Sequence, residues 1–257
     1  MPELAEIKIM ADFINSVCED QNFTSIAFSE SAGNRGLGVE QPSDLQVFEI
    51  IADSRGKELL LSIIQGGSVF MQISCSMGMS GFWVFVHHDK IPKHTHLIFK
   101  AIGDFYLCLV DARRFARWKT VKTWSENRGP CPLHEFSDFK KNILANLEKK
   151  EFSKPIHLVL MNQKYFNGIG NYLRAEILFR ADQDPFIDAR TAITMNPKIL
   201  DLCSQLPKEA YVLGGGQLKD WDNPFNVPAG GFAEWIQCYG KGEHIVDKNG
   251  RTFWYHP

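Results

Sequence analysis

Pro2 and Glu3 place a secondary amine beside a carboxyl group at the start of the chain. A small penultimate residue favours removal of the initiator methionine, which would leave the amine of Pro2 as the chain terminus. An α-amino group titrates near about pH 8, roughly two and a half units below lysine. A useful fraction is therefore neutral at about pH 7 and able to attack an aldehyde-like sugar carbon. Glu3 stands next to it as an acid. A Met-Pro start by itself more often ends as an inert terminus.

Three further positions could bind phosphate. In Phe166-Asn167-Gly168-Ile169-Gly170-Asn171, two glycines precede an asparagine suited to N-capping. Such a turn exposes amides next to a helix N-terminus, a natural phosphate site; a plain helical elbow would also fit. Arg251 follows Asn249-Gly250 at the tip of an expected hairpin, where it could clamp a phosphate or lie solvated. Lys57, in Arg55-Gly56-Lys57-Glu58, precedes an apolar strand and could reach a phosphate or be an ordinary lysine. His87, His88, His94 and His96 are the only clustered histidines. Without a cysteine or carboxylate at ligand spacing they read as loop histidines, so no metal and no cofactor is expected.

The elements that must position these residues follow from periodicity. Leu4, Ile7, Met10, Ile14 and Val17 recur at helical spacing, predicting a helix over 3–19. Short apolar runs at Val47–Ile51, Leu59–Ile64, Val69–Cys75, Phe82–Val86, Leu97–Phe99 and Phe105–Val110 read as strands. With no helices between them they predict an antiparallel sandwich or barrel. Residues 121–133, with two prolines and few apolar side chains, read as a linker between domains at 1–120 and 134–257. Helical patterns follow at Phe136–Lys150, Pro155–Gln163, Asn171–Ala181 and Pro197–Gln205. Ile245-Val246 and Thr252–Tyr255 flank the Asn249-Gly250 turn as a terminal hairpin. The fold class is α+β.

The 257 residues are 44% hydrophobic and 23% charged, which excludes a mostly disordered or fibrous chain. The net charge of −2 argues against a protein coated in basic groups. The balance is uneven, however. Residues 1–50 hold 2 basic and 9 acidic side chains, whereas residues 51–150 hold 15 and 9. Six basic residues lie between Arg113 and Arg128, against the single acid Glu126. The six cysteines form no CxxC pair, and no secretory signal or membrane-spanning run is present. An intracellular, reducing compartment with buried thiols is expected.

The order of these signals resembles the formamidopyrimidine-DNA glycosylase/endonuclease VIII family of base-excision repair enzymes. The matching segments are Pro2-Glu3 with Glu6, Arg55-Gly56-Lys57, Met77–Gly81, Asp111–Phe115, Phe166–Leu178 and Asn249–Thr252. Asn171-Tyr-Leu-Arg-Ala-Glu176 after the glycine turn resembles the family's helix–two-turn–helix and is the most specific of them. The resemblance implies an N-terminal β-sandwich preceded by a helix, then a helix–two-turn–helix domain ending in a finger hairpin over about 234–257. It implies a bifunctional glycosylase and abasic-site lyase that removes oxidised pyrimidines and ring-opened purines by β,δ-elimination. Pro2 would form a Schiff base at the deoxyribose C1′, Glu3 would protonate the sugar oxygen, and Lys57 would hold phosphate. Glu6 would join the first helix to the amides of the Gly168–Asn171 turn. Asn171 and Arg251 would grip phosphates flanking the lesion, and Met79, Arg113 and Phe115 would fill the gap left by the flipped nucleotide. Lys208 would touch the damaged base from a loop beginning at Pro207. The partner implied is damaged DNA, with no membrane, the protein acting as a monomer and in the nucleus if the source is eukaryotic.

Two departures from the family pattern stand out. Zinc-bearing members carry four cysteines around the hairpin; here only Cys238 is present. Cys238–Gly240 and Gly250–Trp254 resemble the zincless finger of the endonuclease VIII-like 1 branch instead. The family's usual Pro-Glu-Gly-Pro-Glu start is Pro2-Glu3-Leu4-Ala5-Glu6 here. A non-catalytic lesion binder and an RNA-binding structural protein are the competing classes. Retention of Met1 would favour the first; the second calls for a strongly basic chain.

Overall fold

The computed structural model describes residues 2–29, 41–216 and 230–257. Met1 lies outside them. The chain divides into two compact units: Pro2 with Glu6–Trp124, and Glu3–Ala5 with Ser125–Gly216 and residues 230–257.

The first unit takes α1 (Leu4–Cys18) from Glu6 onward, and Ile7, Met10, Ala11, Ile14 and Cys18 form one buried face. Among the described residues eight strands follow: β1 (Phe23–Phe28), β2 (Glu49–Arg55), β3 (Glu58–Gln65), β4 (Ser68–Ser76), β5 (Phe82–His87), β6 (Thr95–Ala101), β7 (Phe105–Val110) and β8 (Arg117–Val121). They form two antiparallel sheets, ordered β1-β6-β7-β5 and β2-β3-β4-β8. Both contribute to one core, with Ile50, Leu61, Ile73 and Trp118 from one sheet and Phe23, Trp83, Phe99 and Leu109 from the other. On the edge strand β2, buried Ile50, Ala52 and Ser54 alternate with exposed neighbours; the interior strand β3 is buried from Glu58 to Ile63.

Two strands carried no sequence signal. β1 is Phe-Thr-Ser-Ile-Ala-Phe, too interrupted by small polar residues to form an apolar run. β8 holds Arg117 and Lys119 of the basic cluster, with only Trp118 pointing into the core. Charged side chains on such an edge strand also discourage pairing with another chain.

The second unit contains α2 (Phe136–Leu144), α3 (Ile156–Val159), α4 (Asn171–Arg180), α5 (Ala189–Met195), α6 (Lys198–Val212), α7 (Gly231–Trp235), β9 (Glu243–Val246) and β10 (Thr252–Tyr255). Helix α2 stops well before Lys150. The Asn146 side chain donates to the backbone oxygen of Asn142 at 2.5 Å, competing with the helical ladder. The pattern at Pro155–Gln163 contracts to the single turn α3. Helix α5 was not expected; its N-cap is Asp188, whose carboxylate accepts from Thr191 N–H at 3.0 Å.

All six cysteines are free and buried. Burial pushes the thiols of Cys18 and Cys238 up to about 12, which leaves them protonated. Among the described residues, no helix is long and apolar enough to cross a membrane.

Candidate active site

In the first unit, Lys57 lies in the two-residue turn joining β2 to β3, where Arg55 pairs with Glu58. Gly56 occupies the first central position at φ +61°, as a type II′ hairpin requires. Lys57 and Pro2 are half-buried, and Glu6 is buried in the first turn of α1.

Met79, Arg113 and Phe115 lie on two loops organised by one carboxylate. Asp111, fully buried, accepts from the Ser80 hydroxyl at 2.6 Å, Arg113 N–H at 3.2 Å and Ala116 N–H at 2.6 Å. Gly78 packs so closely under Phe115 that a Cβ there would lie 2.5 Å from the Phe115 Cβ. The Arg113 guanidinium stacks over the Phe115 ring at 4.9 Å. Met79 and Phe115 nevertheless remain 42% and 45% exposed. Exposed apolar and planar cationic groups on braced loops are suited to insertion between bases.

Burial alone would raise the Asp111 carboxyl, but the Ala116 amide, the Ser80 hydroxyl and neighbouring amides outweigh it and hold it below the ordinary aspartate value of 3.8. A depressed carboxyl contributes its full stability above the unfolded value and loses it as pH falls through the folded one. Between about pH 5 and pH 2, wild type is therefore expected to lose more stability than Asp111→Asn, read from urea midpoints. Parallel acid limbs would overturn this role.

The second unit holds Glu3, Asn171 and Arg251. Helix α4 begins at Asn171 after Gly170, and no side chain of Gly170 can cap it. Glu3 does so from the start of the chain. Its carboxylate accepts Tyr172 N–H at 2.9 Å and Leu173 N–H at 3.3 Å, and it is only 1% exposed. Leu4 N–H donates to the Gly168 carbonyl at 3.1 Å. Leu4 and Ala5, the residues that depart from the family's usual Gly-Pro, are fully buried in this unit's core.

Asn171 is fixed at both ends of its amide. Nδ2 donates to the Thr252 carbonyl at 2.7 Å, and Oδ1 accepts from Arg174 at 2.6 Å. Arg251 is exposed at the end of the loop joining β9 to β10, which turns through Gly250 at φ +73°. Asp247 braces that loop, accepting from the amides of Asn249 at 2.9 Å and Arg251 at 3.1 Å. Its other oxygen accepts from Arg174 at 2.9 Å. Burial would raise the Asp247 carboxyl; the Arg251 amide and Arg174 outweigh it and hold it below the ordinary carboxylate range.

Lys208 is corrected. It lies on the exposed side of α6, not at the start of a loop. Pro207 forfeits one helical hydrogen bond, yet the turn stays helical. Glu209 ties it down, accepting from Gln205 at 2.7 Å, Arg180 at 3.0 Å and the Trp235 indole at 2.8 Å. Asp89 also revises the histidine reading, because a carboxylate does stand at ligand spacing. His87, His88 and Asp89 bring ligand atoms within 4.8 Å of one another, and the His87–Asp89 contact is 2.7 Å.

Four organising residues were missed from sequence: Asp111, Arg174, Glu176 and Asp247. The fully buried Glu176 carboxylate accepts the amides of Gln237 at 3.0 Å, Cys238 at 2.8 Å and Tyr239 at 2.8 Å. The available signal was two charges inside the apolar stretch Tyr172–Leu178. All seven of its residues are buried.

The profile of the formamidopyrimidine-DNA glycosylase N-terminal domain matches residues 1–118. Human endonuclease 8-like 1 is 34% identical, the match covering 99% of this chain and 72% of that protein. The mouse protein of the same name is 35% identical with the same coverage. The fold resembles the crystal structure of the MutM (Fpg) protein of Thermus thermophilus, with TM-score 0.78, 25% identity, and coverage of 100% of this chain and 97% of that one. The Lactococcus lactis Fpg bound to DNA containing an oxidised pyrimidine superposes at TM-score 0.81 and 23% identity, covering 100% and 98%; it speaks for the fold alone. With this extent of identity to the endonuclease 8-like 1 proteins, the chain belongs to the formamidopyrimidine-DNA glycosylase/endonuclease VIII family.

Proposed function

We propose that this chain, a DNA glycosylase of base excision repair acting on oxidised bases, works through a Schiff base at Pro2 and leaves a gap by β,δ-elimination. Glu3 protonates the ring oxygen as the Pro2 nitrogen attacks the deoxyribose C1′, and the sugar opens. The base then leaves with the proton that the Pro2 nitrogen gives up, and an iminium ion links C1′ to Pro2. That electron sink makes the 2′ hydrogen acidic: it leaves as a proton to water as the 3′ carbon–oxygen bond to phosphate breaks, and the 4′ hydrogen leaves in the same way as the 5′ carbon–oxygen bond breaks. Water finally releases the sugar fragment and restores the amine. Lys57, Asn171 and Arg251 bind phosphates; Arg113, Phe115 and Met79 fill the space of the flipped nucleotide, whose extrusion costs a few kcal/mol.

The domains follow the same reading: a β-sandwich over 1–120, a linker at 121–133, and a helix–two-turn–helix domain at 134–257 with a zincless finger from about residue 234. The enzyme acts as a monomer inside the cell, on nuclear DNA in a eukaryote. Glu6 supports the docking of α1, and Lys208 approaches the lesion from α6.

The observation that carries the proposal is Glu3 held on the α4 amides, one residue from the amine and beside Asn171. Borohydride reduction in the presence of lesion-containing duplex tests it. A chain verified by mass to begin at Pro2 is expected to form a covalent adduct, and Pro2→Gly to trap less with an unchanged thermal melt. Absence of an adduct from the Pro2-initiated chain would overturn the chemistry.

A further inference from the structure

We infer that Arg174 is a positioning residue that locks Asn171 and Arg251 into a single phosphate grip; this rests on the proposed role of those two residues. Arg174 itself is fully buried and cannot touch DNA. Its guanidinium nevertheless reaches both grips. One terminal nitrogen donates to Asn171 Oδ1 at 2.6 Å. The other donates to Asp247 Oδ2 at 2.9 Å and to the His157 carbonyl at 3.2 Å. Its flat face lies 4.7 Å from the centre of the Phe253 ring.

Each contact has a directional consequence. Because Oδ1 of Asn171 faces a donor, its amide can be placed only with Nδ2 toward the hairpin, where it meets the Thr252 carbonyl at 2.7 Å. One Nδ2–H is thereby engaged and the second is left for a phosphate oxygen. On the hairpin side, Asp247 uses Oδ1 for the Arg251 amide at 3.1 Å, and its own N–H donates to the Arg251 carbonyl at 2.8 Å. The backbone that aims the Arg251 side chain is thus set by the carboxylate that Arg174 holds.

An isolated two-stranded hairpin is marginal in water, and β9 and β10 have four residues each. Its orientation must come from anchors outside the ladder. Stability alone is a poor reason for a buried arginine. Apolar side chains of similar volume often stabilise as well as a buried ion pair, and Arg174 Nε has no hydrogen-bond partner among the described residues. What the planar fork supplies is fixed geometry at two places simultaneously.

The test is a binding cycle on duplex DNA carrying a non-cleavable abasic analogue, run across a salt series. Asn171→Ala and Arg251→Ala are each expected to weaken binding about tenfold in the wild-type background. In an Arg174→Met background, Arg251→Ala should cost only about twofold more, because the grip is already misaligned. Arg174→Met should also lower the salt slope by about one, as Arg251→Ala does, although Arg174 contacts no phosphate. Arg174→Lys, which keeps the charge but not the fork, should fail to rescue; it also carries the comparison if the methionine variant does not fold. Additive losses with an unchanged salt slope in folded variants overturn the lock. If Asn171→Ala and Arg251→Ala bind like wild type, the phosphate-grip assignment fails first and takes the inference with it.

Discussion

Glu3→Gln is expected to fold and bind lesion DNA while releasing the damaged base about 10²–10⁴-fold more slowly. The side chain has two tasks that this substitution separates. As a structural group it receives Tyr172 N–H and Leu173 N–H. Glutamine retains one acceptor for these amides but turns an NH₂ toward the other, at a cost of about 1–3 kcal/mol. In the proposed mechanism it delivers a proton to the sugar oxygen, which an amide cannot do. Single-turnover base release should therefore collapse, while affinity for an abasic analogue stays within about tenfold. Base release within a few-fold of wild type would remove Glu3 as the acid. A parallel loss of folding would show only that the α4 cap had failed, so the thermal melt is measured on the same sample.

Glu3 also illustrates what periodicity can and cannot disclose. The spacing of Leu4, Ile7, Met10 and Ile14 located α1 to within a residue at each end. It did not reveal that the helix begins at Leu4, leaving Glu3 outside the ladder and available to cap another helix. The resemblance places Glu6 at the amides of the Gly168–Asn171 turn; the capping of Tyr172 N–H and Leu173 N–H by Glu3 is a separate contact that left no mark in the sequence pattern. The placement of Asn171 at a helix start and of Arg251 beside a hairpin turn was legible because glycine turns and an Asn-Gly hairpin leave strong local marks. Asp111, Arg174, Glu176 and Asp247 were not. Their roles depend on partners distant in sequence, up to 73 residues for Arg174 with Asp247. A charge on a buried helix and a charge on a solvated one look identical in a one-dimensional pattern.

The same contrast resolves the basic cluster. As a run of charges, Arg113–Arg128 was equally consistent with a solvated face. In the structure Arg113 and Arg114 lie on a loop, Arg117 and Lys119 on an edge strand, and Arg128 in the second unit beside Gln163 and Asn167. Arg113 stacks on exposed Phe115 over a loop braced by Asp111, whereas Arg117 and Lys119 line the outer side of β8. Only the first arrangement pairs a cation with an exposed ring at a fixed height, so the wedge residues, and not the whole cluster, are expected to contribute to lesion recognition.

Glu176→Ala is expected to cost the second unit about 3–5 kcal/mol of stability. Its carboxylate is fully buried and accepts three consecutive amides at Gln237, Cys238 and Tyr239. Those residues form the approach to β9, where Cys238 is buried as a free thiol. Alanine would leave three amide donors without an acceptor and a cavity where the side chain stood. Glu176→Gln, which keeps one acceptor, should lose about 1–3 kcal/mol. Denaturant midpoints with an unchanged slope measure both losses. Limited proteolysis locates them: cleavage should accelerate first at 236–242, because the segment loses its anchor before the helices around α4 lose their core. If Glu176→Ala unfolds within about 1 kcal/mol of wild type, the hairpin is held by Arg174–Asp247 and by the packing of Phe253, and the carboxylate is incidental.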